Sequence, residues 1–161
     1  MSQEELAQIL REHPFTEGFR PEHIQKLASM AGRVHFAKDE LIYREGDPSS
    51  FFYLLLEGKV ALDVNAPGHA VRIATLSAGE ELGWSSLTPE YPKHFQARTL
   101  EEVRALAFDG VRLVHACDED CAFGYVLTRA VLKLVAQRLH ATRIQLLDIC
   151  TTAPGARPAH V

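Results

Sequence analysis

The chain has 161 residues, 47% of them hydrophobic and 24% charged. That is one domain's worth of sequence with enough apolar content for a real core, which excludes a disordered tail and a coiled-coil rod. Seventeen Lys and Arg against 21 Asp and Glu leave a formal charge of -4, a balance that argues against a protein living on phosphate-backbone contacts.

Ser2-Gln3-Glu4-Glu5 has the Ser-x-x-Glu form of a capping box, so a short helix is predicted from there to about Glu12. Pro14 ends it. Pro21 stands at a first helical position, and Ile24, Leu27, Ala28 and Ala31 follow at helical spacing; Gly32 is expected to close that helix.

From Arg33 to Phe108 short runs of Val, Ile, Phe and Tyr alternate with glycines and acidic turns. Strands are predicted at Val34–Phe36, Leu41–Tyr43, Phe51–Leu56, Val60–Val64, Val71–Leu76, Phe95–Ala97 and Val103–Phe108. Turns are predicted at Gly46-Asp47, Glu57-Gly58, Pro67-Gly68, Ala78-Gly79 and Leu82-Gly83. Strands this close leave no room for crossover helices, so the pattern is an antiparallel roll, sandwich or barrel.

Helical spacing returns with a short helix at Val111–Ala116 and a long one from about Glu119 to Ile149. Leu127, Val131, Val135, Leu139, Thr142, Leu146 and Ile149 form one seam in steps of three and four. Phe123, Val126, Ala130 and Leu134 form a second apolar line over the first half only. A helix apolar on two sides needs two partners. The roll is one, and a second copy of the helix is expected on the seam, making a homodimer. Thirty residues give a helix of about 45 Å, longer than a small domain is wide. Residues 151–161, rich in Pro, Ala and Gly, are expected to be a disordered tail. The whole reads as one α+β domain over residues 1–150, with the roll at 33–108.

No apolar run approaches the ~20 residues of a membrane span, and the acidic N-terminus lacks the form of a signal peptide. Three cysteines do not build a disulfide framework, so free thiols and a cytoplasmic location are expected. Cys117 and Cys121 are four apart and would offer two thiolates, but nothing nearby completes a metal site. The eight histidines show no HxH or HExxH spacing, and no Gly-x-Ser-x-Gly elbow is present. The chain does not read as an enzyme.

Short helices, a β-roll and one long helix, in that order, resemble the cyclic nucleotide-binding domain of the CRP/FNR type over roughly Phe15 to Cys150. Four segments carry the resemblance. EGDPSSFFYLLLEGKVAL (45–62) is similar to the family's central hairpin, and LSAGEELGWSSL (76–87) lies where the family has its phosphate-binding cassette. ARTLEEVRALAFD (97–109) is similar to the strands that follow, and RLHATR (138–143) to the helix segment that reaches the purine. The fold implied is a double-stranded β-helix, jelly-roll-like, flanked by short N-terminal helices and one long C-terminal dimerisation helix.

The ligand implied is a cyclic nucleotide, cAMP or cGMP. A cyclic phosphate needs backbone N–H donors at a helical turn and a cation. Gly83 would let the backbone approach, and Ser85 and Ser86 would add hydroxyls. Where ligand-binding members carry a Glu for the ribose, this chain has Trp84; where they carry the phosphate-clamping Arg, it has Lys93, followed by His94. Lys offers a point charge rather than a fork. Two readings stand side by side. In one the pocket is altered: Trp84 covers the ligand while Lys93, His94 or Arg98 holds the phosphate. In the other Trp84 fills the hole of a missing nucleotide and the protein is a ligand-free dimeric adaptor. Arg98 also suits a solvent-facing strand position, and Thr142 and Arg143, which match purine-touching positions, also suit an ordinary helix seam and surface. A haem or metal sensor is a third alternative, with His35, His69 and His94 as candidate axial ligands. The expected output is contact with another protein. Family transcription factors continue into a helix-turn-helix domain; eleven residues follow Cys150 here, so DNA is not an expected partner unless the sequence is a fragment.

Overall fold

The computed structural model describes residues 2–88 and 90–152. Helix α1 (Gln3–Glu12) starts on the expected capping box: Ser2 Oγ accepts from Glu5 N–H, and the Glu5 carboxylate accepts from Ser2 N–H. A 3-10 turn (Pro14–Thr16) follows, capped by His13, and α2 (Pro21–Met30) packs beside α1. Gly32 does not close α2. Ala31 is the cap, and Gly32 is already the first residue of a strand, paired with Ala107.

Eight strands then run β1 (Gly32–Phe36), β2 (Leu41–Tyr43), β3 (Phe51–Glu57), β4 (Lys59–Ala66), β5 (His69–Ser77), β6 (Glu81–Leu82), β7 (Gln96–Thr99) and β8 (Val103–Asp109). They form two antiparallel four-stranded sheets, ordered β1-β8-β3-β6 and β2-β7-β4-β5. All seven expected strands are present. The eighth, β6, lies where a Leu82-Gly83 turn was expected: Leu82 pairs with Tyr53 and Glu81 with Leu54, and a two-residue strand is too short to show a period in sequence. Gly58, with φ +87°, turns β3 into β4 where a Cβ would lie 2.2 Å from the Glu102 carbonyl oxygen, so no other residue fits.

Alternation along β3 divides the core. Leu55, with Val60, Leu62, Leu82, Ala97 and Val103, fills the space between the two sheets. Phe52 and Leu54 face the other way, onto the helices, with Leu10, Leu27, Leu106, Leu113 and Phe123.

Helix α3 (Gly110–Glu119) is longer than the expected Val111–Ala116, starting on an Asp109 cap to Arg112 N–H at 3.0 Å. Asp120 breaks the helix (φ -134°, ψ 92°), and its carboxylate accepts from Phe123 N–H at 3.1 Å. Helix α4 (Cys121–Thr152) therefore starts two residues later than expected, and Cys117 and Cys121 sit on different helices rather than one face. Thr151 and Thr152, expected in the tail, end α4; residues 153–161 of that expected tail lie outside the described residues. Both apolar lines of α4 are covered in its first half, with Phe123, Leu127 and Leu134 buried, whereas Leu139, Leu146 and Ile149 are 51–66% exposed. Among the described residues no helix is long and apolar enough to cross a membrane.

Candidate functional site

The end of β6 delivers the chain into a left-handed residue, Gly83 (φ 84°, ψ 30°), followed by a 3-10 turn, Trp84–Leu87. A Cβ at Gly83 would meet the Phe51 carbonyl oxygen at 2.4 Å and Lys93 Nζ at 2.9 Å. Glycine is thus demanded twice, by φ and by space, and the turn's first N–H groups are left without intrahelical acceptors. Lys93 is anchored across the roll by its backbone: its N–H donates to Asp47 O at 3.0 Å and its carbonyl accepts from Gly46 N–H at 2.7 Å.

The Lys93 side chain is 5% exposed, and Nζ has no hydrogen-bond partner among the described residues. Its nearest compensation is the face of Tyr43, 4.5 Å from ring centre to Nζ. Loss of water around the ammonium lowers the Lys93 pKa from its ordinary value to about 8. The same burial pushes the Tyr43 phenol well above its usual range, chiefly by desolvation. Arg138 of α4 lines one small cavity together with Tyr43 and Lys93. Its guanidinium donates to the Glu81 carbonyl, and burial lowers its pKa while Glu81 and Tyr43 oppose the shift. That cavity measures about 20 Å³ and is walled by Tyr43, Gly83, Trp84, Ser85, Lys93 and Arg138. That is space for about one water molecule.

Behind it opens a second cavity of about 1140 Å³ between α4 and the roll. Leu62, Trp84, Phe95 and Arg138 line both, so these four side chains lie between them. Two polar side chains tie α4 to the roll across this space: Arg138 to Glu81 O, and Gln145 Nε2 to Ile73 O at 2.7 Å.

The fold brings Gly83, Trp84, Ser85, Lys93 and His94 together around the small cavity. The Ser85 hydroxyl is shared with Ser49 Oγ at 2.5 Å. Ser86 is buried but turned away. It packs against Gly110, where a Cβ would lie 2.3 Å from Ser86 O, and its hydroxyl has no partner among the described residues. Thr142 lines the large cavity and bonds back to the Arg138 carbonyl at 2.8 Å. Arg98 does not reach either cavity; its guanidinium donates to Asp39 O at 2.8 Å on the outer side of β7. Arg143 is exposed and lines neither. Of the histidines weighed as axial ligands, His35 is paired with Glu102 at 2.8 Å and His69 is exposed at the start of β5. No group of three His, Cys, Asp or Glu able to hold a metal is found among the described residues.

Tyr43, Arg138 and Gln145 are the residues that the sequence did not mark. Arg138 carried a signal, as the first residue of the RLHATR segment. Tyr43 carried none, because a three-residue strand does not show which side faces in.

A family model described as "Cyclic nucleotide-binding domain" matches residues 33–120. The chain is 27% identical over 152 residues to the CRP-like cAMP-activated global transcriptional regulator of Mycobacterium tuberculosis, covering 93% of this chain and 66% of that protein. It thus spans just under two thirds of that relative's length. Among solved structures, the N-terminal domain of a transcriptional regulator from Streptomyces coelicolor A3(2) is 29% identical with TM-score 0.67, covering 83% of this chain and 94% of that one. A cyclic nucleotide-binding domain from Methylobacillus flagellatus, at 20% identity, shares the fold with TM-score 0.78 over 91% of this chain and 83% of that one.

Proposed function

The chain belongs to the cyclic nucleotide-binding domain family, and from that premise we propose that it is a ligand-responsive regulatory subunit whose signal is the packing of α4 on the roll. The observation that carries this reading is the Lys93 ammonium, buried without a hydrogen-bond partner in a cavity whose other walls are the Gly83 turn and the Arg138 guanidinium. A buried cation lacking an acceptor is costly, and an anion supplied by a ligand removes that cost. The anion is the cyclic phosphate of cAMP or cGMP, and the base lies in the large cavity toward Thr142.

Mechanism follows from the position of Arg138. Its guanidinium donates to the Glu81 carbonyl beside a cavity of about 20 Å³. A phosphate there competes for Arg138 and displaces it from Glu81. Because Arg138 belongs to α4, the exchange favours a different seating of the helix, a population shift with differential contacts in its two states. The output is read by a protein partner, through a homodimer held by the exposed α4 seam.

A second reading, a ligand-free dimeric adaptor, has its own supporting observation: the cavity that Trp84, Tyr43 and Arg138 wall beside Lys93 has a volume of only about 20 Å³. Titration calorimetry and thermal shift with cAMP and cGMP separate the two. The expected result is a ligand-dependent rise in Tm that Lys93→Met reduces, with affinity falling at least tenfold, the loss of one charge-assisted contact. No shift with either nucleotide, in a protein whose Lys93→Met variant is as stable as the parent, would favour the adaptor.

A further inference from the structure

The nucleotide reading uses the charge of Lys93 and leaves its amine chemistry unused. The Lys93 Nζ lies against the Gly83 turn, close enough that a Cβ on residue 83 would stand 2.9 Å from it. It has neither a hydrogen-bond acceptor nor a carboxylate within ion-pair distance among the described residues. The titratable and charged side chains that wall its cavity are Tyr43, His94 and Arg138, and no Asp or Glu does so. The carboxylates of the loop that anchors the Lys93 backbone are engaged elsewhere: Glu45 accepts from Asn65 N–H at 3.0 Å and Asp47 from Arg44 N–H at 2.8 Å. Glu80 and Glu81 line the larger cavity, from where they act on Arg138.

An ammonium so placed becomes less costly by gaining an anion or by ceasing to be an ammonium. Desolvation favours the second course, lowering the Lys93 pKa to about 8. Roughly a tenth of the side chains then carry a free lone pair at neutral pH, and a desolvated lysine amine is a nucleophile. The cavity selects the electrophile by size. Its volume of about 20 Å³ is too small, as it stands, for an aldehyde or acyl group with substituents. Carbon dioxide is linear, has three atoms and no substituents, and the bond it forms to Nζ draws its carbon inside van der Waals distance of the cavity wall.

We propose that Lys93 is a carbon dioxide-binding site, forming a carbamate that Arg138 holds. The ammonium first gives one proton to solvent. The amine lone pair attacks the carbon, the N–C bond forms, and one C=O π pair moves onto oxygen. A second proton leaves the nitrogen for solvent, so a positive side chain becomes a negative one with nothing oxidised or reduced. The carbamate nitrogen keeps one N–H, which can remain on the Tyr43 ring face. The new carboxylate is an acceptor for the Arg138 guanidinium, in the same cavity. Two cations without a carboxylate thereby become one ion pair. The carbamate also stands where the cyclic phosphate was placed above, so carbon dioxide and nucleotide exclude each other. That consequence rests on the nucleotide reading; the carbamate does not.

The test uses the full chain, equilibrated with isotopically labelled bicarbonate near pH 8, the Lys93 pKa. Triethyloxonium ion is added to fix any carbamate as its ethyl ester, and each lysine is read by peptide mass spectrometry. The expected result is label on Lys93 about tenfold or more above that on Lys26, Lys38, Lys59 and Lys133, which are exposed or ion-paired. Arg138→Gln keeps the amine and removes the cation that holds the carbamate, so the trapped fraction should fall about tenfold. A parent chain unfolded in guanidinium chloride should label Lys93 no more than the other lysines, a control that holds whether or not the variant folds. Equal labelling of all five lysines in the folded protein overturns the proposal. So does a folded Arg138→Gln variant that traps as much as the parent, or a preference for Lys93 that survives unfolding. Nucleotide titration is a separate readout. Label on Lys93 in a protein that ignores cAMP and cGMP upholds the carbamate and removes the nucleotide reading, and cAMP binding without label on Lys93 does the reverse.

Discussion

Single residues in this protein are held to their conformation by very local demands. His13 is one. Its ring is buried; Nδ1 accepts from Phe15 N–H at 3.2 Å, and Nε2 meets Leu55 O at 3.2 Å. The neutral tautomer with the proton on Nε2 satisfies both, capping the 3-10 turn and stitching it to β3. A second proton on Nδ1 would face an N–H donor, and desolvation lowers the His13 pKa against a weaker raising effect of Leu55 O. The unfolded imidazole therefore takes a proton near 6.5 while the folded one resists until lower pH, so stability is full above about 6.5 and falls as pH drops below it. Urea midpoints should decline from pH 7.5 to 5, and a His13→Asn variant should flatten the decline at the cost of lower stability at pH 7.5. An equally steep decline in the variant would show that another group titrates. Lys93 has the opposite consequence for ligands. Its folded pKa is depressed to about 8, so an anion that needs the ammonium should lose affinity as pH rises past that value.

At the scale of elements, the junction of α3 and α4 shows packing overruling propensity. Gly124 is a helix-weakening residue on sequence grounds, where Ala is worth about 1 kcal/mol more. In the fold it is buried, and a Cβ there would lie 2.8 Å from the Cys117 carbonyl oxygen and 3.0 Å from the Cys117 Cβ. The contact partner is backbone, which cannot swing away. Gly124→Ala should therefore lower stability by about 1–3 kcal/mol, the usual range for overpacking, instead of raising it. A rise in Tm would mean that α3 shifts freely against α4. The same crossing explains why one expected long helix became two: Asp120 spends its backbone on the break and its carboxylate on capping α4 and on Lys26 Nζ at 3.0 Å.

At the scale of the molecule, α4 runs past the roll with its apolar residues uncovered. Leu132, Leu139 and Leu146 are spaced by seven, as are Val135, Thr142 and Ile149, giving alternate steps of three and four. Four of these six are more than half exposed, an arrangement expected to be closed by a second copy. Leu139→Glu with Leu146→Glu would place charges in that seam, each costing several kcal/mol if buried, so light scattering should report a monomer for the variant and a dimer for the parent. A parent that is monomeric at high micromolar concentration would remove the dimer. Thr142 belongs both to this seam and to the lining of the large cavity, so a ligand there and a partner helix would be sensed at adjoining faces of one turn.

How much of this was legible in the sequence depends on range. The capping box at Ser2, the seven longer strands and the turn at Gly58 rest on patterns within a dozen residues, and the chain states them outright. So did the family, because four segments recur in order. One juxtaposition was legible too: Gly83, Trp84, Ser85, Lys93 and His94 line one small cavity. What the tertiary structure alone decided depends on which way a side chain turns after long-range pairing. Ser86 sits beside Ser85, yet packs onto Gly110. Arg98 alternates with Ala97, and the β2–β7 pairing sends it to Asp39 instead of to the cavity. Tyr43 and Arg138 are 95 residues apart and come together at Lys93 only because the roll closes and α4 folds back across it. Local propensity and spacing fix the elements; burial of Lys93, and with it the chemistry of the site, exists only once those elements exclude water together.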